Sequence, residues 1–193
     1  KTRAYGEDNP ALTFTVSGLV NNETLDGLGI EPSLSTTATK TSPAGEYPIA
    51  FSGEEATSTT NYNIAYVDGT LTVTENASAI VVTAGSGSKS YDGSALTVGT
   101  YEITSGQLAD GDYIDSATMT AESTITNAGT QSNEIASVVI KNAAGNDVTS
   151  NYSNVQFADG TLTVTKVAAT VAAESKTRAY GEDNPALTFT VSG

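Results

Sequence analysis

Cysteine, histidine and tryptophan are absent from the 193 residues. Without cysteine there is no disulfide and no thiolate chemistry. Without histidine the chain lacks both the usual general base near neutral pH and the commonest nitrogen ligand for a metal. Basic residues are scarce: 8 Lys and Arg stand against 22 Asp and Glu, a net charge of −14. A surface of that sign repels nucleic acid and anionic lipid, so no nucleic-acid partner is expected. No apolar run approaches the length a bilayer span needs, and no membrane insertion is expected of this segment. Aromatic residues make up only 7% of the chain, too few for a broad stacking surface.

What is present is Thr, Ser, Gly, Ala and Asn, with Val, Ile and Tyr spaced regularly among them, a composition that favours β-structure. The stretch from Lys1 to Gly18 reads KTRAYGEDNPALTFTVSG, and Lys176 to Gly193 repeats it letter for letter. Chance does not produce an unbroken match of that length. The chain reads as a cut-out from a tandem array, with a period of 175 residues from Lys1 to Lys176.

Alternation marks the expected strands. From Ala11 to Gly18, Leu12, Phe14 and Val16 alternate with Thr. Leu19 to Ile30 breaks the pattern and predicts a loop or short helical turn, with Asn21 or Asn22 as cap. Leu34 to Thr39 predicts a short strand. Gly45 to Gly53 predicts another, with Tyr47, Ile49 and Phe51 on one face and Pro48 at an edge or bulge. In Asn61 to Thr74, alternating runs flank Asp68-Gly69, which predicts a hairpin closed by a type I′ turn. The pattern restarts with a strand from Ala79 to Ala84 and a turn from Lys89 to Gly93. An extended stretch follows from Tyr101 to Thr104, then a loop from Gln107 to Asp115 and strands around Ser116–Thr120 and Ala136–Ile140. Asn151 to Thr165 repeats the hairpin around Asp159-Gly160.

The expected architecture is therefore mostly β: two small tandem β-sheet domains plus the opening strands of a third repeat. Residues 1–75 form a first repeat without its opening strand, residues 76–166 a second, and residues 167–193 the truncated start of the next. An immunoglobulin-like sandwich and a β-grasp-like sheet with a short helix at Asn21 to Leu28 both fit the pattern.

The first repeat resembles the MBG domain (YGX type), a repeat of bacterial surface proteins. The resemblance rests on Tyr5-Gly6, Pro10-Ala11-Leu12-Thr13, Val16-Ser17-Gly18, Ala44-Gly45-Glu46-Tyr47-Pro48-Ile49, Asn61-Tyr62 and Tyr66-Val67-Asp68-Gly69-Thr70-Leu71-Thr72-Val73. The second repeat is similar to the YDG domain through Lys89-Ser90-Tyr91-Asp92-Gly93, Asn151-Tyr152 and Asp159-Gly160-Thr161-Leu162-Thr163-Val164. These resemblances imply long runs of units on secreted or cell-wall proteins, usually large adhesins, and hence an extracellular location. They carry no catalytic residues to this chain.

Candidate chemistry is thin. Asp110, Asp112 and Asp115 offer the best set of hard oxygen ligands for Ca²⁺, although their spacing is not that of a complete EF-hand loop. Glu7-Asp8 and Glu54-Glu55 are lesser acidic pairs, and a solvated acidic loop is the simpler reading of all three. No other cofactor is expected. Nothing gathers paired carboxylates in a cleft for glycoside hydrolysis, and no enzyme activity is expected. Tyr5, Tyr47, Tyr62, Tyr91 and Tyr152 recur at equivalent repeat positions, either as a glycan-stacking face or as rings bracing turns, with the hydroxyl bonded to backbone. Lys40, Lys89, Lys141 and Lys166 are candidates for an isopeptide bond, and a solvated lysine is the simpler reading. Asn22, Asn76 and Asn151 head the N-glycan acceptor pattern, an accidental match in a bacterial protein.

Two functions follow as expectations. In the first, the chain is a structural stalk or spacer whose partners are neighbouring repeats or copies of itself, end to end. The segment that would join copies is Val167, Ala168, Ala169, Thr170, Val171, Ala172, Ala173, Glu174 and Ser175, adding as a strand to the open sheet of the first repeat in another molecule. A window on a continuous polypeptide, with the strand upstream, explains the same pattern. In the second, the chain is an adhesive module that grips glycan or mucin. The even spread of Thr and the few aromatics favour the spacer.

Overall fold

The structure, a computed structural model, describes residues 1–52 and 57–193. The acidic pair Glu54-Glu55 lies outside the described residues. In the first repeat the strands are β1 (Thr2–Ala4), β2 (Leu34–Thr36), β3 (Gly45–Phe51), β4 (Thr57–Ser58), β5 (Asn63–Ile64) and β6 (Gly69–Thr74). The second repeat has β7 (Ile80–Ala84), β8 (Gly87–Ser90), β9 (Tyr101–Ser105), β10 (Tyr113–Met119), β11 (Gly129–Asn133), β12 (Ile135–Lys141), β13 (Val155–Ala158) and β14 (Gly160–Thr165). The tail carries β15 (Thr170–Ala173) and β16 (Phe189–Ser192). Among the described residues the only helices are short 3₁₀ turns at Asp26–Leu28 and Thr149–Asn151. The mostly-β expectation is met, and of the two architectures the sandwich-like one fits.

The ladders are the same in both repeats. β6 lies between β1 (parallel, Arg3 opposite Val73) and β3 (antiparallel, Gly45 opposite Val73). β14 lies between β8 (parallel, Lys89 opposite Val164) and β11 (antiparallel, Gly129 opposite Val164). With β2 the first sheet has the order β1-β6-β3-β2, and the corresponding second sheet is β11-β14-β8. The remaining sheets are β13-β7-β9, β10-β12, β4-β5 and β15-β16. β2 ends opposite Ile49, so Pro48 sits where the outer edge of β3 is open among the described residues, as its missing N–H requires.

By its internal contacts the chain divides into two compact units. The first comprises Lys1–Val82, Ile103–Ala117 and Ser137–Phe157; the second comprises Thr83–Glu102, Thr118–Ala136 and Ala158–Gly193. The second repeat therefore contributes to both. In the first unit Ala38, Ile49 and Leu71 form a buried cluster against which Leu12, Leu34 and Tyr47 pack. In the second unit Leu162 and Val164 alternate inward from β14, as a half-buried strand must. Buried Asn133 donates its amide to the Gly85 and Val98 carbonyls at 2.8 and 3.0 Å, which satisfies backbone oxygens that the ladders leave over.

Three sequence-based expectations are corrected. First, neither Asp-Gly closes a hairpin. β5 pairs with β4 while β6 pairs with β3 and β1, and β13 pairs with β7 while β14 pairs with β11 and β8. Neither Gly69 nor Gly160 has the positive φ that a type I′ turn demands. Gly160 is needed for close approach instead: a Cβ there would be forced onto Gly85 O and lie 2.6 Å from Ala84 O. Second, Asn21 and Asn22 do not cap a helix. They hold left-handed φ values of 57° and 60°, and Thr24 Oγ1 accepts the Gly27 N–H at 3.1 Å at the start of the 3₁₀ turn. Third, the strand expected from Ala11 to Gly18 is not formed in the first copy. Phe14–Ser17 pairs with no strand among the described residues, whereas the identical Phe189–Ser192 forms β16 against β15. The reverse holds for Thr2–Ala4, which forms β1 against β6, while the identical Thr177–Ala179 forms no strand. A strand requires a partner for its N–H and C=O groups, and each copy has a partner for only one of its two strands.

Candidate assembly site

The Tyr-Gly motif of the first repeat meets the Asn-Tyr motif of the second inside the first compact unit. Tyr5 is fully buried, and its hydroxyl donates to Asp112 Oδ2 at 2.9 Å. The Tyr152 hydroxyl donates to the same oxygen at 2.6 Å and accepts the Ala109 N–H at 2.8 Å. The two rings stand edge to face with centroids 5.6 Å apart, a favourable quadrupole geometry. Asn151 adds backbone recognition: its Oδ1 accepts the Ala44 N–H at 3.0 Å and its carbonyl accepts the Asn76 N–H at 2.7 Å. The Asn76 carbonyl in turn accepts the Ser153 N–H at 3.1 Å. This is a polar and aromatic lock between consecutive repeats.

Burial, then the Asp112 hydrogen bond, then the Asp112 charge push the Tyr5 hydroxyl from 10 up to about 12. The Tyr152 hydroxyl is likewise raised, by burial first and Asp112 second. The folded state thus holds these protons more tightly than the unfolded chain does. For Tyr5 the contribution to stability is complete below about pH 10 and is lost as pH rises through about 12. The urea midpoint, followed by circular dichroism, should hold up to about pH 10 and then fall across that window. Tyr5→Phe should be less stable near neutral pH but flatter across the window. A wild-type midpoint that stays level above pH 10 would refute the assignment.

The first repeat builds half of the same lock from its own residues. The Tyr62 hydroxyl donates to a Glu23 carboxylate oxygen and accepts the Val20 N–H at 3.2 Å, as Tyr152 does with Asp112 and Ala109. The Glu23 hydrogen bond raises the Tyr62 hydroxyl.

Beside it lies a groove of about 660 Å³. Thr13 to Gly18 forms one wall and Ile64 to Val67 the other, with Ile49 and Phe51 of β3 between them and Gly69 also lining it. Its aromatic rings form a row: Phe14 and Phe51 have centroids 5.8 Å apart, and Phe51 and Tyr66 are 4.8 Å apart.

The structure places the residues singled out from sequence as follows. Asp110, Asp112 and Asp115 are not gathered around one point. Asp112 serves the two tyrosines, Asp115 pairs with Lys141 at 2.9 Å, and no group of three acidic side chains suited to a metal occurs among the described residues. Lys89 pairs with Asp92 at 2.7 Å on the surface, a contact that holds the Asp92 carboxyl well below its usual range. Tyr5, Tyr47, Tyr62 and Tyr152 brace the fold through their hydroxyls, with Tyr47 donating to Pro43 O at 2.8 Å, whereas Tyr91 is exposed. Within Val167 to Ser175, Thr170–Ala173 forms exposed β15. Asn151 and Asn76 were missed as junction residues. The recurring Asn-Tyr pair was the available signal, but it read as the start of a hairpin.

No curated protein and no solved structure matches the chain. The MBG domain is a repeat module typical of surface proteins. Residues 1–72, the first repeat with its Tyr-Gly motif and its β1-β6-β3-β2 sheet, match the family model of the MBG domain (YGX type), which bears out the resemblance carried by their motifs.

Proposed function

We propose that the chain is a stalk or spacer segment of a large, repetitive, extracellular bacterial surface protein or adhesin, with units joined end to end through their opening strands. The observation that carries this reading is the lock between repeats. Tyr5 and Ala44 belong to the motifs of one repeat, Asp112, Asn151 and Tyr152 to the next, and the Tyr-Gly motif returns one period later at Tyr180-Gly181. Such a junction resists bending without any metal or disulfide, and nearest-neighbour contacts of this kind stabilise small repeats that bury little surface alone. Thr-rich faces and a charge of −14 keep the array soluble. Small-angle scattering on chains with one, two and three copies of the period should give a maximum dimension that rises in proportion to copy number. A dimension that stays nearly constant would overturn the spacer.

The ring row of Phe14, Phe51 and Tyr66 favours a second reading, an adhesive module for glycan or mucin. In that case mucin glycans should bind saturably to the single-copy chain, and Phe51→Ala should abolish the binding.

A further inference from the structure

We infer that the second repeat is a tension clamp. The segments by which the chain enters and leaves it are paired in parallel, so a pull along the chain shears their ladder as a whole. The geometry is independent of the stalk reading above; its use under load rests on that reading.

The chain passes from the first repeat into the second at Asn76, which bridges Tyr152 in the parallel sense. The Asn76 N–H donates to Asn151 O at 2.7 Å, the Ser153 N–H to Asn76 O at 3.1 Å and the Ile80 N–H to Asn154 O at 3.0 Å. β7 then continues beside β13. Further along, β8 runs parallel to β14, with Leu162 opposite Gly87, Val164 opposite Lys89 and Thr165 opposite Ser90. The Tyr91 N–H prolongs that ladder to Thr165 O at 2.9 Å. The next residue after Thr165 is Lys166, where the chain leaves the repeat. The first repeat carries the same ladder. There β1, the counterpart of β8, runs parallel to β6 with Ala4 opposite Thr74, and the Tyr5 N–H reaches Thr74 O at 2.8 Å.

The parallel sense decides how load acts. In a parallel pair, the start of one strand and the end of the other lie at opposite ends of the ladder. Tension between those two points slides the strands past each other along their own axes. The hydrogen bonds lie across that direction, so they are strained together and must break together. In an antiparallel hairpin the same two points lie at one end, and the bonds open in turn. Each bond is weak singly, so the arrangement sets the resistance. Leu162 and Val164 are buried from β14, which keeps one face of the ladder dry and its bonds strong. β14 is also held on its other side by antiparallel β11, from Gly129 opposite Val164 to Asn133 opposite Gly160. The leaving strand is therefore fixed by two ladders. Lys89 ties the far end of β8 to the turn behind it, donating to Asp92 Oδ1 at 2.7 Å and Ser94 O at 2.6 Å. In the first repeat Arg3, opposite Val73, does the same through Asn9 and the Thr39 carbonyl. Without cysteine no disulfide can share the load.

The same absence makes introduced cysteines unique anchors for DNA handles in an optical trap. Ala77→Cys with Lys166→Cys pulls along the shear direction. Ser90→Cys with Lys166→Cys, and Ala77→Cys with Ser153→Cys, each pull from one end of the pairing and peel it. All four sites are exposed, so the three variants should share the wild-type urea midpoint. Forced opening follows the unfolding rate along the pulled direction, so the forces should still differ. Ala77 and Lys166 should separate at several-fold higher force than either peeling pair. Equal forces in all three directions, or a higher force for a peeling pair, would overturn the clamp. The spacer reading stands or falls separately, on the scattering of covalently linked copies.

Discussion

Replacing Tyr5 by alanine should cost about 3–5 kcal/mol of folding stability, the range for deleting a buried aromatic ring, while Tyr180→Ala should change stability by less than about 0.5 kcal/mol. The two tyrosines sit in identical sequence, KTRAYGEDNPALTFTVSG. Tyr5 is fully buried, bonded to Asp112 and stacked edge to face on Tyr152. Tyr180 is fully exposed. Removing Tyr5 deletes a core ring and strands a carboxylate whose Oδ1 already has no hydrogen-bond partner and whose Oδ2 keeps only Tyr152. Urea denaturation of the two variants provides an internal control for propensity and for the unfolded state, since the local sequence is the same. Equal losses at both positions would show that Tyr5 contributes through local structure and would remove the repeat lock from the account.

The second large effect is expected at Gly160→Ala, again with a twin in the same motif, Asp-Gly-Thr-Leu-Thr-Val-Thr. A Cβ on Gly160 meets the carbonyl oxygens of Ala84 and Gly85, and backbone yields less readily than a side chain. Overpacking of this kind costs about 1–3 kcal/mol, and more where the neighbour is fixed, so about 3 kcal/mol or above is expected. Gly69→Ala puts its methyl into open groove at ordinary contact with Ile49. There the loss of unfolded-chain entropy should dominate, with a stabilisation of up to about 0.4–1 kcal/mol. Measured midpoints of opposite sign would confirm that an opening strand is present over one glycine and not the other. A large loss at Gly69 would contradict the open groove.

The predictions concern paired residues because the duplicated stretch shows directly what local sequence decides. Some features are common to both copies. Arg3 Nε donates to Asn9 Oδ1 at 2.7 Å and Arg178 Nε to Asn184 Oδ1 at 2.8 Å. The Glu7 N–H reaches Ala4 O, and the Glu182 N–H reaches Ala179 O, at 3.3 Å in each case. Gly6 and Gly181 take φ values of 84° and 88°. The turn therefore forms wherever its residues occur, since every partner lies within a few positions along the chain. The alternation of Leu71 with Val73 and of Leu162 with Val164 was legible for the same reason: period two is local. So was the array itself, and with it the family signature.

Tertiary structure decided the rest. Thr2–Ala4 is a strand and Thr177–Ala179 is not, because β6 stands beside only the first. Phe189–Ser192 is a strand because β15 stands beside it. Tyr5 is a core residue only because Asp112 and Tyr152 meet it from more than 100 positions along the chain. The Asp-Gly pairs misled for the opposite reason. Their local signal for a tight turn is strong, but β6 and β14 gain two ladders each by lying in the middle of a sheet, and a hairpin would provide only one. Backbone groups and apolar faces are satisfied by whichever strand is spatially available, so identical residues fold differently wherever their neighbours differ.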